Sequence, residues 1–320
     1  MTLSALSGAI GLGLTLLSPR AEAVPASVPP EYGYNYGETE TPRMTATAGA
    51  MRALGSSTTA LFANPANMAI SHVYHITGMA QIYPEANRQS YGGAIVDSVV
   101  NATGLAGGVG GSWSQQDPEG TGREWMDLRA GLAVPVGKMF FVGASGRVFS
   151  LIENGGGPLG PSPISGGIPG SNIINTVTFD AGATFRPVQQ FSLSLTGHNL
   201  TNTGSAFLPL MGAASAALTV ADFGLGVDAV LEGTTYGAPK VRLMAGGEFL
   251  AGDVVAIRAG YRFDQGQESH SVSAGLGYLD RRFSVDAAFR RSIIGPESMA
   301  IVFGFSLHIE ALNMNVGAIN

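Results

Sequence analysis

Residues 254–263 read VVAIRAGYRF. In an extended chain Val255, Ile257, Ala259, Tyr261 and Phe263 fall on one side, and Arg258, Gly260 and Arg262 on the other. This follows because successive side chains of a strand point to opposite faces. Helical spacing fits neither set. The same alternation recurs along the chain. Phe283, Val285, Ala287 and Phe289 oppose Ser284, Asp286, Ala288 and Arg290. Val241, Leu243, Ala245 and Phe249 oppose Lys240, Arg242 and Glu248. Val177, Phe179, Ala181, Ala183 and Phe185 oppose Asp180, Gly182, Thr184 and Arg186.

The occupants of the polar face decide between a soluble sandwich and a barrel. That face holds mostly Gly, Ser, Thr and Ala, with a few charges of both signs. Across the whole chain only 12% of residues are charged, about half the usual ~25%. The 320 residues include 46 glycines, about twice the ~7% average. A solvated sheet face would carry more Lys and Glu. A narrow bore crowds its side chains and favours small residues and paired charges. Lipid calls for an apolar exterior and a closed sheet without unsatisfied edges. The expected fold is therefore all-β, a transmembrane antiparallel β-barrel.

Fourteen strand-like segments can be placed between residues 72 and 309, once 210–232 is divided in two at Ala221–Asp222. An even count suits a bacterial barrel with both ends on one side. The connections sort into two sets. Val100–Ala102, Pro135–Lys138, Pro187–Gln189, Asp222, Gly252 and Asp280–Arg281 are short. Gln115–Gly122, Ile152–Asn175, Thr201–Pro209, Gly233–Pro239 and Ser292–Glu297 are longer. Short periplasmic turns and long outer loops are the pattern of outer-membrane barrels. Upstream, the apolar run Ser4–Leu17 and then Ala21-Glu22-Ala23 predict a secretory signal over 1–23. Gly304-Phe-Ser-Leu307-His-Ile309 reads as a final barrel strand, with 310–320 as a tail. The expected location is the bacterial outer membrane, in contact with its lipid.

Other function classes fare poorly. A net charge of −6 supplies no basic footprint for nucleic acid. With no cysteine there is no disulfide, thiolate metal site or Cys nucleophile. His72 and His75, three apart on a strand, face opposite sides and cannot chelate one ion together. No HExxH, P-loop or nucleophile elbow appears. No enzyme activity, cofactor or metal is expected. Arg258, Arg262, Asp286 and Arg290, with Arg129, Arg147, Asp180, Arg242 and Glu248, are expected to form a cross-strand lattice of ion pairs in the lumen, since pairing lowers the desolvation cost. The apolar loop residues Phe207, Leu208 and Leu210, with Leu159, Ile164 and Ile168, are candidates for an outer capture site for a hydrophobic ligand.

Residues 51–69 read MRALGSSTTALFANPANMA. A small-residue run followed by an aromatic and Asn-Pro-Ala resembles the N-terminal stretch of the FadL superfamily of outer-membrane barrels. The matching positions are Ala60, Phe62, Asn64, Pro65, Ala66 and Met68. The family usually places Gly after Asn-Pro-Ala, where this chain has Asn67, a residue tolerant of left-handed backbone. Arg186-Pro187, His198-Asn199-Leu200, Phe207-Leu208-Pro209-Leu210 and Gly246-Gly-Glu248-Phe249 look like the PorV-type members. The resemblance implies a fourteen-stranded barrel with an N-terminal hatch in its lumen. On that analogy 24–71 divides into a periplasmic tail (24–43) and a plug (44–71), in which Asn64, Pro65 and Ala66 act structurally, and 72–309 is the barrel. It implies passage of small hydrophobic compounds across the outer membrane. The alternative is a non-conducting PorV-like scaffold or shuttle whose partners are envelope proteins.

Overall fold

A computed structural model describes residues 34–99, 104–116, 122–153 and 171–309. The expected signal segment, the tail 310–320 and the candidate ligand residues Leu159, Ile164 and Ile168 lie outside the described residues.

Fourteen strands form one closed antiparallel barrel in sequence order. They are β1 Tyr74–Tyr83, β2 Arg88–Asp97, β3 Ala106–Gln116, β4 Arg123–Val136, β5 Phe140–Glu153, β6 Ser171–Val188, β7 Phe191–His198, β8 Met211–Val220, β9 Phe223–Glu232, β10 Lys240–Ala251, β11 Val255–Asp264, β12 Ser269–Leu279, β13 Phe283–Ile294 and β14 Met299–Ile309. The seam joins β1 to β14, from Tyr74 opposite Ile309 to Ile82 opposite Ile301. Division of 210–232 at Ala221–Asp222 is correct: Val220 pairs with Phe223 across a tight turn in which Ala221 takes φ 48°. No helix among the described residues is long and apolar enough to cross a membrane.

The alternation read from residues 254–263 holds in three dimensions. Ile257 and Tyr261 are exposed on the outer wall, while Arg258 and Arg262 are buried in the lumen. Leu132, Leu195 and Leu276 are more exposed still, at 61%, 66% and 60%. A full ring of such residues is too apolar for water and matches lipid. Aromatic side chains mark both ends of this belt. Phe140 stacks on Phe185 and Phe223 on Phe249 beside the short turns, with ring centroids 4.7 and 4.5 Å apart. Tyr91 and Trp113 stack toward the long-loop end at 6.3 Å. Paired aromatic girdles are a hallmark of transmembrane barrels.

This exterior makes a direct prediction. Val227 sits near the middle of β9 and points outward, whereas its neighbour Asp228 points inward. Val227→Arg should cost about 2–4 kcal/mol of folding stability in a bilayer. Equilibrium denaturant titration in lipid vesicles reads this, and Val227→Leu should be neutral. An arginine tolerated there without loss would mean that β9 does not face lipid.

The lumen is filled by the N-terminal segment. It contains two short helices, α1 (Pro42–Ala46) and α2 (Ser57–Ala63), and a 3-10 turn over Pro65–Ala69. Met44, Met51, Leu61, Phe62 and Met68 pack against Met79, Val96 and Ala133 of the wall. The plug also reaches further upstream than the boundary at residue 44. Tyr36, Thr39, Glu40 and Thr41 are buried inside the barrel, so 34–43 is plug rather than tail. The sequence hid this because Gly37-Glu-Thr-Glu-Thr-Pro-Arg43 looks solvated until its partners are known.

Candidate functional site: the plugged lumen

Three zones make up the bore. The first is the seat of the plug. Asn64 Nδ2 donates to the Arg52 carbonyl at 2.8 Å and to Thr184 Oγ1 of β6 at 3.0 Å, while its Oδ1 accepts from the Ala66 N–H at 3.2 Å. Pro65 opens the 3-10 turn, where its fixed φ is suitable and its missing N–H costs nothing. Asn67 does not adopt left-handed backbone; it lies within the 3-10 turn. Its amide works instead: Nδ2 donates to the carbonyls of Arg52 and Gly55 at 3.0 and 2.9 Å, and Oδ1 accepts from Thr184 at 2.6 Å. Asn67 therefore substitutes a side-chain clamp for backbone freedom. Two glycines of the wall make room. A Cβ on Gly143 would come within 2.6 Å of the Ala66 nitrogen, and one on Gly182 would collide with Asn64 Oδ1.

The second zone is a ring of buried charge. Arg258 bonds Asp286 at 2.6 Å, across Gly277 of β12, and Glu248 at 3.3 Å. Arg129 bonds Asp127 and Asp180 at 3.1 and 3.0 Å, and Arg147 bonds Asp127 at 2.9 Å. These are wall-to-wall pairs. Arg262 and Arg290 behave differently. Both bind Glu40 of the plug, at 2.9 and 2.6 Å. Arg242 binds Glu38 at 3.0 Å, Arg52 binds Glu38 and Asp228, and Arg43 binds Glu248. The lattice is thus plug-to-wall as much as cross-strand. Burial alone would raise the Glu40 carboxyl, but Arg290 and Arg262 outweigh it and hold the group at about 2. Glu38 is likewise held well below the ordinary carboxylate range by Arg242 and Arg52, against the opposing effect of burial.

The third zone differs at the two ends of the bore. At the long-loop end, the connection between β7 and β8 folds down over the lumen. Leu208 is fully buried against Phe149 and Leu151 of β5. Phe207 packs edge-on to Trp125 at 5.9 Å between centroids, and Leu210 is half-buried. The loop residues singled out from sequence therefore line an apolar cap that faces inward. Tyr34 and Tyr36 close the same end. Tyr34 donates to the Ala206 carbonyl and Tyr36 to Asp264 at 2.7 Å. At the short-turn end lies a cavity of about 370 Å³, bordered by Arg43, Ser57, His75, Glu248, Asp286 and His308. Among the described residues no cluster of three or more metal-ligating side chains occurs.

Sequence reading singled out Asn64, Pro65, Ala66, the four lumen charges and the apolar loop. It missed Glu38, Glu40, Arg43 and Arg52. A signal was available: in a chain this poor in charge, two glutamates and an arginine within 38–43 are conspicuous.

No family model and no curated protein matches this sequence. Solved structures do. A Pseudomonas aeruginosa FadL homologue superposes with a TM-score of 0.59 at 17% identity, covering 88% of this chain and 99% of that one. The Ralstonia pickettii toluene transporter TbuX gives 0.60 at 12%, covering 85% and 99%. The Pseudomonas putida toluene transporter TodX gives 0.57 at 13%, covering 87% and 99%. Identities this low speak to architecture alone: this chain, a closed fourteen-strand antiparallel barrel with its N-terminal segment inside the lumen, shares the fold of these outer-membrane barrels.

Proposed function

We propose that the protein passes small hydrophobic compounds across the bacterial outer membrane. The observation that carries this reading is the apolar cap of Phe149, Leu151, Phe207 and Leu208 at the long-loop end of the bore. An apolar pocket bordered by a few polar groups is how proteins capture greasy ligands. The fold neighbours are named as a FadL homologue, toluene transporters and a monoaromatic hydrocarbon channel, which supports the same direction. In this reading the long loops face the medium and the short turns face the periplasm. A ligand parts the β7–β8 loop from β5, settles on Phe207 and Leu208, and moves on when the plug shifts.

Uptake of labelled toluene and of a long-chain fatty acid, with and without the gene, tests the proposal. Deletion should lower the initial uptake of at least one class. Phe207→Ala should reduce it roughly tenfold at sub-saturating ligand, the equivalent of about 1.4 kcal/mol of lost apolar contact, at unchanged amounts of folded barrel. Unchanged uptake of both classes in the deletion strain would overturn the reading.

A further inference from the structure

Arg88 opens β2 at the long-loop end and is only 6% exposed. Among the described residues its Nε and Nη2 have no hydrogen-bond partner. The guanidinium lies over the Tyr83 ring, 3.6 Å from its centroid, and 5.9 Å from the centroid of Trp125. A cation is attracted by the face of such rings. That contact leaves the edge carrying Nε and Nη2 unsatisfied.

Other arginines of the same bore show what this edge takes. Arg147 grips Asp127 side-on, Nε to Oδ1 and Nη2 to Oδ2, both at 2.9 Å. Arg129 holds the same carboxylate by the same two nitrogens, at 3.3 and 3.1 Å. Arg43 holds Glu248 in this way too. Planar bidentate pairing is the strong mode of a guanidinium. Arg88 presents the same two donors with no carboxylate on them. Glu40 of the plug is already shared by Arg262 and Arg290. A buried charge is costly until something pairs with it, and the carboxylate of a ligand would do so.

The surroundings indicate what the rest of that ligand is. Phe207 lies edge-on to the Trp125 ring at 5.9 Å, the same distance as Arg88. Phe207 in turn belongs to the apolar cap with Phe149, Leu151 and Leu208. An acid held by Arg88 therefore has its body beside Trp125 and its far end at the cap. Tyr83, Trp125 and Phe207 present ring faces and edges, which an aromatic body matches better than an alkyl chain does.

We propose that Arg88 anchors a binding site for aromatic carboxylates, with the acid on its Nε–Nη2 edge and the ring against Trp125 and Phe207. The site rests on the transport reading for its route of entry, the parting of the β7–β8 loop, and it narrows the ligand class from neutral hydrocarbons to hydrophobic acids. The bidentate grip selects a planar carboxylate, and the cap selects against small inorganic anions.

The test reads binding directly. The chain has two tryptophans, and Trp113 lies on the outer wall, so Trp113→Phe leaves Trp125 as the reporter. The full chain, folded in non-ionic detergent near neutral pH, is titrated with 4-ethylbenzoate, the neutral 4-ethylbenzamide and octanoate while Trp125 fluorescence is followed. The benzoate should bind saturably and about 10–100-fold more tightly than the amide, the range for hydrogen bonds to a charged group. Octanoate should bind at least about threefold more weakly than the benzoate, since it lacks the ring contacts. Arg88→Met should bind acid and amide alike. Arg88→Lys, which keeps the charge without the fork, should retain only part of the preference. Equal affinity of the folded barrel for benzoate and amide would overturn the proposal, and that comparison needs no Arg88 variant to fold. So would a preference that survives in Arg88→Met, or octanoate binding as tightly as the benzoate. Loss of the acid preference in the purified barrel strikes this site and leaves transport of neutral compounds standing, whereas unchanged uptake in the deletion strain strikes transport and leaves the site.

Discussion

Replacing Glu40 with glutamine is expected to loosen the plug from the barrel wall. Glu40 is the shared counter-ion of Arg262 and Arg290, and all three side chains are buried. Removing its charge leaves two guanidinium groups facing each other in a bore of low dielectric. Breaking a buried pair from one side costs about 3–5 kcal/mol. The β-ladder itself does not depend on Glu40, so the loss falls on the contact between plug and wall. In planar bilayers Glu40→Gln should show frequent openings against a mostly closed wild type. The double variant Glu40→Gln/Arg290→Met should recover part of the closed behaviour, because it removes one of the two stranded charges. Equal conductance of wild type and Glu40→Gln would show that this ion triad does not hold the plug.

The same carboxylate predicts a pH dependence. Its proton affinity falls from about 4.5 in the open chain to about 2 in the seated plug. The stabilisation is therefore complete above about pH 4.5 and is lost as the pH falls toward 2. Glu38 shifts in the same direction. Opening in the bilayer should rise through that acid window and stay flat between neutral and mildly acidic pH.

The second large effect is expected from Gly182→Leu. Gly182 faces the lumen on β6 where Asn64 sits, and a side chain there would occupy the space of Asn64 Oδ1. The Asn64 and Asn67 amides would separate from Thr184, leaving buried donors and acceptors unpaired at about 1–3 kcal/mol each. The chain has no cysteine of its own, which gives a clean readout. Ala63 is fully buried in the plug. Ala63→Cys should resist maleimide in the wild-type background and react readily with Gly182→Leu present. A thiol that stays protected in a folded Gly182→Leu barrel would show that the Asn-Pro-Ala turn does not depend on the gap in β6.

The wall was legible because its rule is local. Any ten residues of a strand show which side chains face lipid, and 254–263 did so without reference to the rest of the chain. The Asn-Pro-Ala motif was legible because its hydrogen bonds stay largely within the segment Arg52–Asn67. The aromatic girdles were readable in principle, since Phe140, Phe223, Phe283 and Tyr278 all flank expected short turns. Position 67 misled, because Asn can serve either by backbone tolerance or by its amide, and only the neighbours reveal which.

The charged lumen was a different matter. Arg258 and Asp286 could be placed two strands apart on the lumen face by counting. The partner of Arg262 and Arg290 could not, because Glu40 lies more than two hundred residues upstream in a segment that reads as a polar tail. His75 and His308, opposite each other across the seam, stand in the same relation. Local alternation and turn chemistry are enough to specify an apolar-outside, closed sheet of fourteen strands. Which charges and which imidazoles meet inside depends on the register at the closing seam and on how deep the N-terminal segment enters the bore. Both are properties of the closed barrel, set by contacts between chain ends that no short window of residues contains.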